Sequence, residues 1–141
     1  MMIISSTETR QVLRFDREEE LFSSLEAYCQ SAGITSAWVS AIGAASEVVL
    51  SFYNLAGQQY EDYTVTEDLE VVSLTGNIGV LEDELSVHLH GVMSRRDLST
   101  VGGHVTKLVV SASCEVLLSI IDEPLVRGYD ETTGLNLLRG L

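Results

Sequence analysis

Two runs decide the fold: L-E-V-V-S-L-T-G-N-I (Leu69–Ile78) and L-S-V-H-L-H-G-V-M (Leu85–Met93), separated by a turn signal at Glu82-Asp83. Both are rich in apolar and β-branched residues. In the second, Val87 and Leu89 alternate with His88 and His90, the period of two that a strand imposes. No crossover helix fits between the runs, so they pair antiparallel. Working outward, Ala37–Ile42, Val48–Asn54, Tyr60–Val65 and Cys114–Ile121 read as further strands. Turn signals mark Gly43, Ala56-Gly57, Gly102-Gly103 and Pro124. The segment His104–Val110 fits a helix as well as a strand, because Val105, Leu108 and Val109 suit both periods; a short helix is the expectation there.

The main helix is expected from Asp16, an N-cap residue with Glu19 three places on in a capping-box pattern. Glu18 and Glu20 would place negative charge where the helix dipole favours it. The apolar face would be Leu21, Phe22, Leu25, Cys29 and Ala32, with Gly33 as the stop. The fold class is therefore α+β: a largely antiparallel β-sheet with a main helix (about 16–32) packed on one face. At 141 residues, with no repeat, linker or low-complexity stretch, the chain reads as a single domain, 1–141.

Composition narrows the function. No stretch is long and apolar enough to span a bilayer, and no basic, apolar and small-residue leader opens the chain, so a soluble, cytoplasmic protein is expected. Cys29 and Cys114 each sit among apolar neighbours and read as buried free thiols. With 21 acidic against 8 basic side chains, the net charge of −13 repels phosphate backbones. No nucleotide-binding fingerprint or G-x-S-x-G nucleophile elbow occurs.

All three histidines of the chain fall between Val87 and Val105. On a strand, His88 and His90 leave the same face about 6.5 to 7 Å apart along the backbone, and His104, after the flexible Gly102-Gly103 pair, is the obvious third partner. Three neutral imidazoles bind a divalent ion and leave coordination positions open for water or another ligand, as in catalytic rather than closed structural sites. Zinc is the first expectation, with other imidazole-binding metals also compatible. The same residues also read as a plain polar strand face with His104 an unrelated loop residue.

The ordered segments L-E-V-V-S-L-T-G-N-I, H-L-H (His88–His90), G-G-H-V (Gly102–Val105) and S-C-E-V (Ser113–Val116) together resemble the plants and prokaryotes conserved domain family. So do A-I-G-A (Ala41–Ala44) and the closing L-V-R-G-Y-D-E-T-T-G-L (Leu125–Leu135), so that the resemblance runs from about Arg14 to Leu138. It implies an α+β domain that assembles as a homotrimer, with His88, His90 and His104 in the place of the prokaryotic branch's metal-binding triad. The plant branch lacks those histidines and pairs the domain with AT-hook segments; no R-G-R-P stretch occurs in this chain. Where the plant domain carries G-R-F-E-I-L, this chain has Glu67 and Asp68 in place of the Gly and Arg. The prokaryotic D-G turn is replaced by Arg95-Arg96-Asp97-Leu98.

A metal-binding protein with a small-molecule ligand is therefore the first functional expectation, and a DNA-binding or regulatory protein, the label the family often carries, is the alternative. A scaffold domain without a ligand is a third. If the chain is an enzyme, the ion would activate water or polarise a carbonyl. Glu115, in an otherwise apolar run, would then be a possible proton handler or partner of a ligating histidine, and otherwise a solvated strand residue. Arg127 could pair with a substrate carboxylate, with Glu115, or in a local or intersubunit salt bridge. Trp38, Tyr53, Tyr60 and Tyr63 are candidates for a pocket wall, for the core or for a trimer interface. Asp130, Glu131 and the threonine pair before Gly134 read as a polar turn.

Overall fold

Period-two alternation governs most of the chain. The computed structural model describes residues 1–140, and its elements are β1 (Met2–Ser6), β2 (Arg10–Asp16), α1 (Leu21–Ala32), β3 (Ala37–Asn54), β4 (Gln59–Val65), β5 (Leu69–Leu81), β6 (Glu84–Ser94), β7 (Thr100–Ile120), β8 (Arg127–Asp130) and β9 (Leu135–Leu138). Seven strands form one sheet in the order β1-β2-β7-β6-β5-β3-β4, and β7 also pairs with β3, so β3, β5, β6 and β7 close a hydrogen-bonded circuit. Every pairing between these strands is antiparallel, and an isolated parallel bridge joins Val80 of β5 to Val126. The expected α+β class and largely antiparallel sheet are what the structure has. The inner face carries the core: Leu74, Ile78, Leu89, Met93, Val105, Leu108, Val116 and Leu118, with Leu13, Phe15, Leu21, Leu25 and Cys29 packed onto it from β2 and α1. Cys29 and Cys114 are buried and free, and burial holds their thiols up at about 11 and about 12.

Three expectations change. The helix begins at Leu21, not Asp16. Residues 10–16 instead pair with β7 along Arg10↔Ser119 to Asp16↔Ser113, which buries Leu13 and Phe15 completely; two apolar side chains at strand spacing outweigh a local capping signal. Asp16 and Glu19 do bond reciprocally, the Asp16 N–H donating to Glu19 Oε2 at 2.6 Å and the Glu19 N–H to the Asp16 carbonyl at 3.3 Å, but they close a turn in which Glu18 has φ 70°. The N-cap is Glu20, whose carboxylate accepts from the N–H groups of Phe22 (3.1 Å) and Ser23 (2.8 Å), and of Leu108 on β7 (3.3 Å). Burial pushes this carboxyl up, but its hydrogen bonds outweigh that, so its pKa is lowered.

The segment His104–Val110 is strand, not helix: it lies inside β7. Val105 pairs with Leu50 and Lys107 with Val49, so Thr106 is an extra residue in a β-bulge. The bulge sets the buried Val105 and Leu108 three residues apart, a spacing that mimics one helical turn. Gly43 and Gly102-Gly103 are likewise not turns but lie within β3 and β7. A Cβ at Gly43 would collide with the Ser113 carbonyl, and one at Gly103 would lie 3.0 Å from the Ser51 carbonyl. Glycine serves close approach here. Among the described residues no helix is long and apolar enough to cross a membrane.

Candidate metal centre

Strand alternation places the histidines. On β6, Leu89 is fully buried in the core while His88 and His90 leave the opposite face, and β7 sets His104 directly across from His90. Beneath them, a Cβ at Gly76 of β5 would collide with the His88 carbonyl, so β5 can lie against β6 at this point only because position 76 is glycine. The three rings meet with centroids 5.0 to 5.2 Å apart, and one nitrogen from each lies within 4.8 Å of the others. His88 Nε2 and His90 Nε2 are 3.2 Å apart. Two nitrogens each about 2.05 Å from a tetrahedral ion stand about 3.3 Å apart, so this pair already has the spacing of two ligands.

Neighbours hold the rings. Tyr60 of β4 stacks on His104 at 5.0 Å with a 27° tilt, and Tyr53 of β3 lies 4.9 Å from Tyr60. Arg127, at the start of β8, donates from Nη2 to Asn77 Oδ1 (2.7 Å) and to His88 Nδ1 (2.9 Å), and from Nη1 to the Asn136 carbonyl (3.0 Å). Asn77 is buried and pairs with His88 across β5 and β6. The β8–β9 hairpin is fixed over the site by the Tyr53 hydroxyl, which donates to the Thr133 carbonyl at 2.6 Å. Its turn is the expected polar one: Asp130 accepts from the Thr133 N–H at 2.9 Å, and Gly134 has φ 73°.

The electrostatics favour neutral imidazoles. Burial, then the charges of Arg127, His104 and His90, hold His88 down at about 4. His104 is also lowered, by burial and His90 first, against an opposing pull from Asp62. A neutral imidazole is the form that binds a metal. His104 Nδ1 is buried without a hydrogen-bond partner, a cost that a ligand would remove. The donor set therefore fits a metal ion of the kind that imidazoles bind.

A cleft of about 630 Å³ is lined by the three histidines, Arg127, Ser51, Tyr53, Tyr60, Leu81 and residues of β9. Of the aromatic candidates, Tyr53 and Tyr60 line it, whereas Trp38 and Tyr63 are not in its wall. Glu115 does not reach it either: this side chain is exposed, opposite Arg14 and Ile42 on β2 and β3, and lines a separate depression. Arg127 accordingly does not pair with Glu115; its partners are Asn77, His88 and Asn136. Sequence reasoning passed over Asn77, whose one signal was an amide in the middle of an apolar strand.

A search of curated proteins gives no match. Among solved structures the chain is similar to a Bacteroides thetaiotaomicron protein whose name carries a provisional DNA-binding designation, at 29% identity over 96% of this chain and 94% of that one, with a TM-score of 0.91. It is similar to a metal-containing protein from Archaeoglobus fulgidus, at 28% identity over 99% of both chains and a TM-score of 0.87. A Pyrococcus horikoshii plant- and prokaryote-conserved protein shares the fold, with 24% identity, 99% of this chain and 96% of that one covered, and a TM-score of 0.87. The model of the Plants and Prokaryotes Conserved (PCC) domain matches residues 2–122, which include all three histidines and stop short of the β8–β9 hairpin. The chain thus belongs to the Plants and Prokaryotes Conserved (PCC) domain family.

Proposed function

We propose that this protein binds one divalent metal ion, zinc by preference, through His88, His90 and His104, and keeps a coordination position open for water or a small ligand. The observation that carries this reading is the convergence of three imidazole nitrogens within 4.8 Å, two of them already 3.2 Å apart. The metal-containing name of the Archaeoglobus fulgidus relative supports it. Bound there, the ion would supply Lewis acidity and a lowered pKa for its water. His88, His90 and His104 would hold it, Tyr60 would keep the His104 ring in place, and Asn77 would fix Arg127 beside His88.

Assembly as a homotrimer belongs to the same reading. Trp38, Ile42, Val72 and Leu117 are 48, 57, 54 and 37% exposed on the outward side of β3, β5 and β7, an apolar face that a partner copy would cover. Light scattering should give about three times the 15.4 kDa chain mass. Duplex DNA is disfavoured: the net charge is −13, and four of the eight basic side chains, Arg14, Arg17, Arg95 and Lys107, each lie within 4 Å of a carboxylate.

Titration calorimetry of chelator-stripped protein with zinc chloride tests the metal reading. One ion per chain is expected, with binding abolished in His104→Ala. Absence of binding, or unchanged binding in the variant, would contradict it.

A further inference from the structure

The chain carries 21 acidic residues, yet among the described residues none lines the histidine cleft, and the one charged side chain in its wall is Arg127. Asp62, whose charge acts on His104, accepts from the Ser51 hydroxyl at 2.6 Å. An acid-free cleft in so acidic a protein admits anions where the rest of the surface repels them. Arg127 is also only partly satisfied. Its Nε is buried with no partner among the described residues, while Nη2, on the same edge of the guanidinium, is divided between Asn77 and His88.

His88 cannot serve both Arg127 and a metal. A neutral imidazole carries one proton, so a ring that accepts at Nδ1 from Arg127 has Nε2 protonated, directed at His90. A His88 that offers its Nε2 lone pair to a cation must carry its proton on Nδ1, where it turns the guanidinium away. The Nη2 proton then becomes available beside the unpartnered Nε–H. Together they make the two-donor edge that matches a carboxylate. Around it, Tyr53, Tyr60, Leu81 and Leu137 give the cleft apolar walls.

We propose that the cleft binds a small monocarboxylate with a short apolar tail, its carboxylate on the Nε–Nη2 edge of Arg127 next to the metal position and its tail against Tyr53, Tyr60, Leu81 and Leu137. This ligand assignment rests on the metal reading given above. A single guanidinium with no lysine beside it suits one carboxylate better than a phosphate dianion. Arg127 lies on the β8–β9 hairpin, beyond the span matched by the family model.

The test is calorimetric titration of the zinc-loaded protein with sodium butyrate and, in parallel, with butyramide, its neutral counterpart of nearly the same shape. Butyrate should bind and butyramide should not. In protein loaded to one zinc per chain, Arg127→Gln should weaken butyrate at least about tenfold, the worth of a charge-assisted hydrogen bond, and Arg127→Lys should not restore it. Equal binding of acid and amide, or unaltered butyrate binding in Arg127→Gln, would overturn the assignment while leaving the metal reading standing. Failure of the parent protein to load zinc would overturn both.

Discussion

Of the depressions in the surface of this sheet, one surrounds His88, His90 and His104 and another lies around Glu70 and Glu115. Both depend on a glycine that lets two strands touch: Gly76 under the His88 carbonyl and Gly43 against Ser113. They differ in how their polar groups are held. In the first, Asn77 fixes Arg127, Arg127 fixes His88, Tyr60 stacks on His104, and the three ring nitrogens face one another. In the second, Glu70 and Glu115 are exposed and make no side-chain hydrogen bond among the described residues. Convergence of donors onto one point marks a site; a carboxylate beside a hollow does not.

The largest expected effect comes from breaking the shared feature. Gly76→Ala would force a methyl group into the His88 backbone and should cost about 3 kcal/mol, the upper part of the overpacking range, seen as a lower midpoint of urea unfolding. Because β5 and β6 would separate beneath the histidines, metal uptake should fall in the same variant. Gly43→Ala should destabilise through the Ser113 collision yet spare metal uptake, because Gly43 meets β7 at Cys114, well along both strands from the Ser51–His104 pair.

An intermediate effect separates the depressions by pH. His88 titrates at about 4 in the folded chain, against an ordinary value of 6.5. Between those values the unfolded chain binds the extra proton, so stability of the metal-free protein should be level above about pH 6.5 and fall as the pH drops towards 4. The lowered pKa of His104 acts in the same direction. Half-exposure of the rings moderates the size of the fall. Denaturant midpoints at pH 7.5, 5.5 and 4.5 would measure it, and His88→Gln should flatten the curve. The smallest effect belongs to the second depression: Glu115→Gln should change stability by less than about 0.5 kcal/mol and leave metal content as it was.

Much of this contrast was legible in the sequence, and the rest was hidden for identifiable reasons. The alternation in L-S-V-H-L-H-G-V-M fixes which side of β6 the histidines leave, because strand geometry allows only two sides. That His104 would lie across from His90 needed the register of β6 on β7, which no local pattern encodes. The bulge at Thr106 turned a strand period into an apparent helical one. The Asp16 N–H does donate to the Glu19 carboxylate, and only the burial of Leu13 and Phe15 against β7 decides that this pair closes a turn rather than opens a helix. Arg127 and Asn77 lie 50 residues apart in sequence, so their pairing depends on the hairpin folding back over β5. Glu115 stood out in the sequence as an acid among apolar residues, but on a strand with alternate faces that is equally the mark of a solvated outer position.

The central claim is that His88, His90 and His104 form one metal site. Elemental analysis of protein purified without chelators, beside His90→Ala prepared in the same way, tests it most directly. The account predicts one zinc per chain in the parent and a loss of that zinc in the variant. A metal-free parent, or equal metal in both proteins, would contradict it.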